Sequence, residues 1–185
     1  MTNFDKKTTT MSAKKLLLAQ YDLHDLLFNN AIEGISDEES NRSIATPMNS
    51  VKWLAGHLLW ANGHLTKISG APIEVKWRDH FHTKQGGGPE DFNAPKSELP
   101  TLEEIREKWN ADAPILRKAL ENFPEEALDS VVEFKHPMYP FDNTLAGVWG
   151  FINHHQAYTI GQIGILRRGL GKEAMSYSKR SHAEV

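Results

Sequence analysis

Apolar residues recur at three- and four-residue spacing in four separate runs of this chain, each opened by helix-capping or helix-starting residues. That periodicity constrains the fold more than any other feature. In the first run Leu16, Leu23, Leu27 and Ala31 share a predicted face behind Ser12, and Gly34 marks the stop. The second runs from Pro47 through Val51, Leu54, Leu58, Leu65 and Ile68 to Ser69-Gly70; proline suits a first turn, where its missing N–H has no intrahelical acceptor. The third opens with Thr101-Leu-Glu-Glu104, a capping box, and carries Leu102, Ile105, Trp109, Leu116, Leu120 and Phe123. Pro114 is expected to kink this helix rather than abolish it. The fourth starts at Asn143-Thr144 and carries Leu145, Val148, Ile152, Ile163 and Leu166 to Gly169 and Gly171, with Arg167 and Arg168 at the negative end of its dipole. A helix must bury its apolar stripe against another element, so four such helices with little strand predict an all-α four-helix bundle.

The segments between the runs are polar. Ser36 to Thr46 reads as linker, and residues from about 70 to 100 read as one long connection containing Gly86-Gly87-Gly88-Pro89 and Pro95. A connection of that length in a compact domain is either a functional lid or disordered. Its glycines do not form a phosphate cradle, because no Gly-Lys-Ser/Thr follows them. Val131 to Lys135 predicts a short extended piece or turn ending at His136-Pro137. The expected organisation is a flexible segment over 1–11, the bundle over 12–171 and a polar tail over 172–185.

Composition narrows the function classes. A chain of 185 residues suits one domain, and its hydrophobic fraction of 39% and charged fraction of 24% are those of a globular protein. The net charge of −3 comes with scattered Lys and Arg, so no nucleic-acid partner is expected. The absence of cysteine excludes disulfides, thiolate metal ligands and a cysteine nucleophile. Neither an apolar leader in Met1 to Thr10 nor a long apolar run is present, so no membrane association and a cytoplasmic location are expected.

On the fourth helix, positions 148, 152, 155, 159, 162 and 166 fall within a narrow arc, so His155, Thr159 and Gln162 interrupt the predicted seam. Each unsatisfied buried polar group costs roughly 1–3 kcal/mol, so the three need internal partners or a ligand. His57 lies near the edge of the apolar face of the second helix, and adjacent helices would let it face His155. Neutral imidazoles from facing helices can hold a divalent ion, although for either residue alone a hydrogen-bonded buried histidine is the commoner explanation. His154 points about 100° away from His155, and His64 stands roughly 10 Å along the axis from His57. His80 and His82 read as loop residues and His24 carries no assigned role. Gly161 reads as the place where a neighbouring helix comes close. Trp53, Trp60 and Trp149 read as core or bundle-mouth aromatics.

Trp53-Leu-Ala-Gly-His57-Leu and His155-Gln-Ala-Tyr-Thr-Ile-Gly161-Gln162-Ile-Gly-Ile-Leu-Arg-Arg-Gly-Leu-Gly171 resemble the two signature segments of the DinB/YfiT superfamily. His136-Pro137 and Asn143-Thr144-Leu145 fit the same pattern, and the helix order agrees from about residue 12 to 171. The resemblance implies a four-helix bundle with a three-histidine metal site, often zinc or nickel. One ligand comes from the second helix and a His-x-x-x-His pair from the last, followed by x-Gly-Gln. Carried over, the ligands are His57, His155 and position 159, which here is Thr159. A neutral hydroxyl is a weak donor to a divalent transition metal, so the triad is degenerate. The expected site is then His57 and His155 on a metal, Thr159 holding water in the third position, and Gln162 orienting a histidine. Two functions follow. One is a metal-dependent hydrolase or thiol-dependent transferase acting on a small molecule, with a low-molecular-weight thiol such as glutathione or bacillithiol implied by the resemblance alone. The other is a noncatalytic bundle that binds a small molecule, or acts through oligomerisation such as a homodimer, without metal. No general base is apparent beside the histidines.

Overall fold

The computed structural model describes residues 12–45, 48–69, 71–81, 99–133 and 143–178. Four long helices dominate: α1 (Ala13–Ile32), α3 (Val51–Ser69), α5 (Leu102–Asn122) and α6 (Leu145–Gly169), with two single-turn helices, α2 (Asp37–Ser40) and α4 (Arg78–Phe81), between them. Both α5 and α6 pack on α1 and on α3. Around the bundle the order is therefore α1, α6, α3, α5, the all-α architecture that the four periodic runs predict. An isolated bridge between Val131 and Thr144 ties the middle of the α5–α6 connection to the start of α6, which fits a short extended piece. Among the described residues no helix is long and apolar enough to cross a membrane.

The predicted caps form. Ser12 accepts the Lys15 N–H at 3.3 Å, and Thr144 accepts the Gly147 N–H at 3.1 Å. Thr101 and Glu104 exchange the two bonds of a capping box. Each satisfies donors that a helix start leaves orphaned. α5 runs continuously through Pro114. At the other end of α6, Gly171 adopts a φ of +79°, and the Gly171 and Lys172 N–H groups return to the carbonyls of Arg168 and Arg167 at 3.0 and 3.1 Å. This is a Schellman closure, which needs a left-handed residue at that position. It turns residues 172–178 back towards α1, where Asn30 donates to the carbonyls of Ser176 and Ser178 at 2.7 and 3.1 Å.

The core draws on every long helix: Tyr21 and Phe28, Val51 and Leu58, Ile105 and Leu116, Trp149 and Ile163 are all buried. Phe28 stacks on Trp109 with ring centroids 4.1 Å apart. The α1 face differs from the predicted one. Leu16 and Leu23 are 49% and 42% exposed, while Leu17, Tyr21, His24 and Phe28 face inward. The reason lies in the run Leu16-Leu17-Leu18, which lets spacing choose any of three faces; the correct one also carries two polar-tipped rings.

Within the expected linker, α2 closes its own capping box between Ser36 and Glu39. It then acts as a tie. Asp37 accepts a 2.7 Å ion pair from the buried Lys52 of α3 and a 2.8 Å bond from the Leu102 N–H that starts α5. The basic end of α6 carries Arg167 and Arg168 in its last turn as expected and also reaches a second helix. The Arg167 guanidinium is buried and donates to the carbonyls of Ala31 and Glu33, capping the C-terminus of α1.

Candidate functional site

Gly56 and His57 sit mid-way along α3 against the short α4. A methyl group built on Gly56 would fall within the ring of Phe81, far inside van der Waals contact, so glycine is what lets that ring settle there. Phe81 is fully buried, and its carbonyl oxygen lies 3.0 Å from Nδ1 of His57. A carbonyl only accepts, so His57 Nδ1 carries the proton and, in the neutral ring, Nε2 is left with its lone pair. Trp53 and Trp60, one helical turn to either side, stack on the His57 ring at centroid distances of 4.9 and 5.1 Å. The imidazole is thus held on both faces and at one nitrogen.

The other ring nitrogen faces α6. His57 Nε2 and His155 Nε2 are 3.2 Å apart, with the rings near-perpendicular at 69°. In the neutral pair His155 donates from Nε2 to the lone pair of His57. Phe151, one turn before His155, lies near-parallel to it at 6.3 Å. His57 is buried, whereas His155, Trp60 and Phe151 are half-buried, so the pair lies where the core meets the surface. Thr159, one turn after His155, is buried.

Two imidazole nitrogens on one tetrahedral ion, each about 2.0–2.1 Å from it, stand about 3.3 Å apart. The His57–His155 separation fits two positions of such an ion. The third protein donor of the usual catalytic site is not matched: Thr159 offers a neutral hydroxyl, and among the described residues no group of three or more His, Asp or Glu side chains could hold a metal.

The inward face of α6 is rotated from the predicted seam. Val148, Ile152, Thr159 and Leu166 of that seam are buried, but the buried face extends past them to Trp149, Asn153, Gln156, Ile160 and Ile163, which leaves His155 and Gln162 half-buried at its edge. Gln162 stands two helical turns beyond His155, at that same edge. Gln156 is the residue that organises the polar interior. Its Oε1 accepts from His24 Nδ1 at 3.3 Å, and its Nε2 donates to Asn62 Oδ1 at 3.0 Å, joining α1, α6 and α3. Burial holds the His24 pKa below its ordinary value, against the opposing effect of the Gln156 bond. Sequence reasoning assigns no role to His24, which lies beside the apolar face of the first helix, or to Gln156, which falls outside the predicted seam.

The remaining candidates separate. His154 is exposed. Gly161 is exposed, and a methyl group placed on it would have nothing within 4 Å, so it makes no close helix approach; the tight contacts are at Gly56, Gly63 and Gly169, against the side chains of Phe81, Val75 and Ile44. His80 is half-buried. The side chain of His64, together with Pro47, His82, the Gly86–Pro89 run and His136-Pro137, lies outside the described residues.

Comparison with known proteins places these residues in a family. A family model described as the DinB superfamily matches residues 20–163, a span that includes His24, His57, His155, Gln156 and Thr159. The chain belongs to the DinB superfamily. No curated protein and no solved structure matches it.

Proposed function

We propose that the His57–His155 pair is a two-imidazole site for a divalent cation, zinc or nickel, and that the protein is a metal-dependent hydrolase or thiol-dependent transferase acting on a small molecule. The observation that carries this reading is the arrangement of His57: Nδ1–H committed to a backbone carbonyl, Nε2 turned to a second imidazole at 3.2 Å. Ligating histidines are oriented in this way, with the distal N–H held by a carbonyl or carboxylate. A cation bound there would supply Lewis acidity and make a bound water or thiol more acidic. The chain's own contribution is to hold His57 between Trp53 and Trp60, to present His155 from the half-buried rim, and to place Thr159 one turn deeper, where its hydroxyl can hold water in the position of a third ligand.

The noncatalytic reading, a bundle that binds a small molecule without metal, draws on one specific observation, the neutral Thr159 where a third imidazole would complete the donor set. Elemental analysis of protein purified without a polyhistidine tag separates the two. The enzyme reading expects about one zinc or nickel per chain, lost in His57→Ala and in His155→Ala. Metal-free protein that gains an ion only as Thr159→His supports the noncatalytic one.

A further inference from the structure

We infer that the turn from Trp77 to Phe81 is a positioning element for His57, with the Phe81 ring as its anchor and the Phe81 carbonyl as the group that selects the tautomer. Three independent features meet there. Trp77 has a φ of +54°, and among the described residues it is the non-glycine residue with positive φ. That region is costly for a bulky side chain, and it persists where the surroundings over-determine it, commonly beside functional sites. The Trp77 carbonyl then accepts the His80 N–H at 3.1 Å, closing the single turn of α4. Phe81, at its end, is fully buried in the hollow that Gly56 leaves on α3. The residue that supplies this hollow is the immediate neighbour of His57, and the residue that fills it supplies the carbonyl 3.0 Å from His57 Nδ1.

The consequence is mechanical. A buried ring cannot shift without shifting its own backbone, because protein interiors are close-packed. The depth of Phe81 in the Gly56 hollow therefore sets whether its carbonyl reaches Nδ1. Without that acceptor His57 is free to carry its proton on Nε2, the atom that faces His155; the pair can then only bond with His57 as donor, and the lone pair that a cation would need is lost. Phe81 is a positioning residue and does not touch a ligand. As an account of how a metal ligand is presented this rests on the cation-site reading, but the tautomer itself does not.

The test is the ring 15N spectrum of full-length, metal-free protein, held well above the ordinary histidine pKa of about 6.5. His57→Gln identifies the His57 signals among the nine histidines. Wild-type protein is expected to show His57 protonated at Nδ1 and bare at Nε2. Phe81→Ala, which introduces no clash, and Gly56→Ala, which pushes the ring out, are both expected to move these signals towards the average of two tautomers. Phe81→Leu, which keeps an apolar plug in the hollow, is expected to retain the wild-type pattern. A Phe81→Ala protein with wild-type circular dichroism and an unchanged His57 pattern overturns the proposal, whether or not Gly56→Ala folds. Where zinc binds, Phe81→Ala is also expected to weaken it about 10–100-fold, the usual effect of losing a partner to a ligating histidine. Wild-type protein that binds no zinc yet shows the fixed tautomer removes the cation site and leaves this inference standing. Zinc affinity and tautomer that both ignore Phe81→Ala do the reverse.

Discussion

His57 and His155 are 98 residues apart in the chain, yet their Nε2 atoms meet at 3.2 Å. The approach is set by α3 and α6 packing side by side, and His57 is pre-oriented by Phe81 whatever His155 does. In the proposed cation site the pair supplies two imidazoles, with Thr159 one helical turn beyond His155 on the same element.

Restoring an imidazole at that position is the first prediction. Thr159→His is expected to tighten zinc binding by at least about tenfold, or 1.4 kcal/mol, as read by competition with a chromophoric chelator. An unchanged affinity would mean that position 159 is not turned to the same point as the two histidines.

The buried polar chain predicts a contrast between two glutamines six residues apart on α6. Gln156→Leu removes its bonds with both His24 and Asn62 from the interior and is expected to cost about 1–3 kcal/mol in denaturant unfolding. Gln162→Leu, at the half-buried edge, is expected to stay within about 0.5 kcal/mol of wild type. Equal losses would contradict the rotated face of α6.

This contrast also marks where sequence reading succeeds and where it fails. Ser12, Thr101 and Thr144 announce the helix starts because capping is local chemistry, complete within four residues. His57 and His155 could be paired because His155 interrupts one apolar seam and His57 lies at the edge of another, and the DinB-like segments around them imply that the two helices are neighbours. Gln156, Asn62 and His24 were invisible for the opposite reason: their bonds cross between helices, and nothing local distinguishes a buried amide from a solvated one. A polar residue at the true centre makes the edge look like the middle, so the predicted seam keeps Val148, Ile152, Thr159 and Leu166 but is centred on the wrong side of them. α2 and α4 were missed because a single turn is too short to show a period.

Acid should act through His24. Burial lowers its folded-state pKa beneath the ordinary 6.5, so as pH falls through that value the unfolded chain takes up a proton that the folded chain resists. Stability contributed by the neutral ring is therefore present above the ordinary pKa and is lost between it and the lower folded-state value. His24→Gln retains an amide donor for Gln156 and removes the titration. Urea midpoints measured from about pH 5 to about pH 7.5 are expected to fall less steeply towards acid in the variant than in wild type; parallel profiles would show that His24 does not carry the effect.

Asp25 should respond in the opposite sense. Its carboxylate accepts the Trp109 indole N–H at 2.7 Å, and burial raises its pKa above 3.8 despite that bond. The charged form is then a burden on the fold that grows as pH rises through 3.8 towards the raised folded-state value and persists at neutral pH. Asp25→Asn keeps an acceptor for Trp109 without the charge, and a higher Tm than wild type at neutral pH is expected. A lower Tm would show that the indole bond needs the full carboxylate.

The most direct test of the cation site is calorimetric titration of zinc into the untagged, metal-free full chain, alongside His57→Ala and His155→Ala. The account predicts about one ion per chain in wild-type protein and no binding heat in either variant. Wild-type protein that takes up no zinc, or zinc that binds both variants as tightly as wild type, would contradict it.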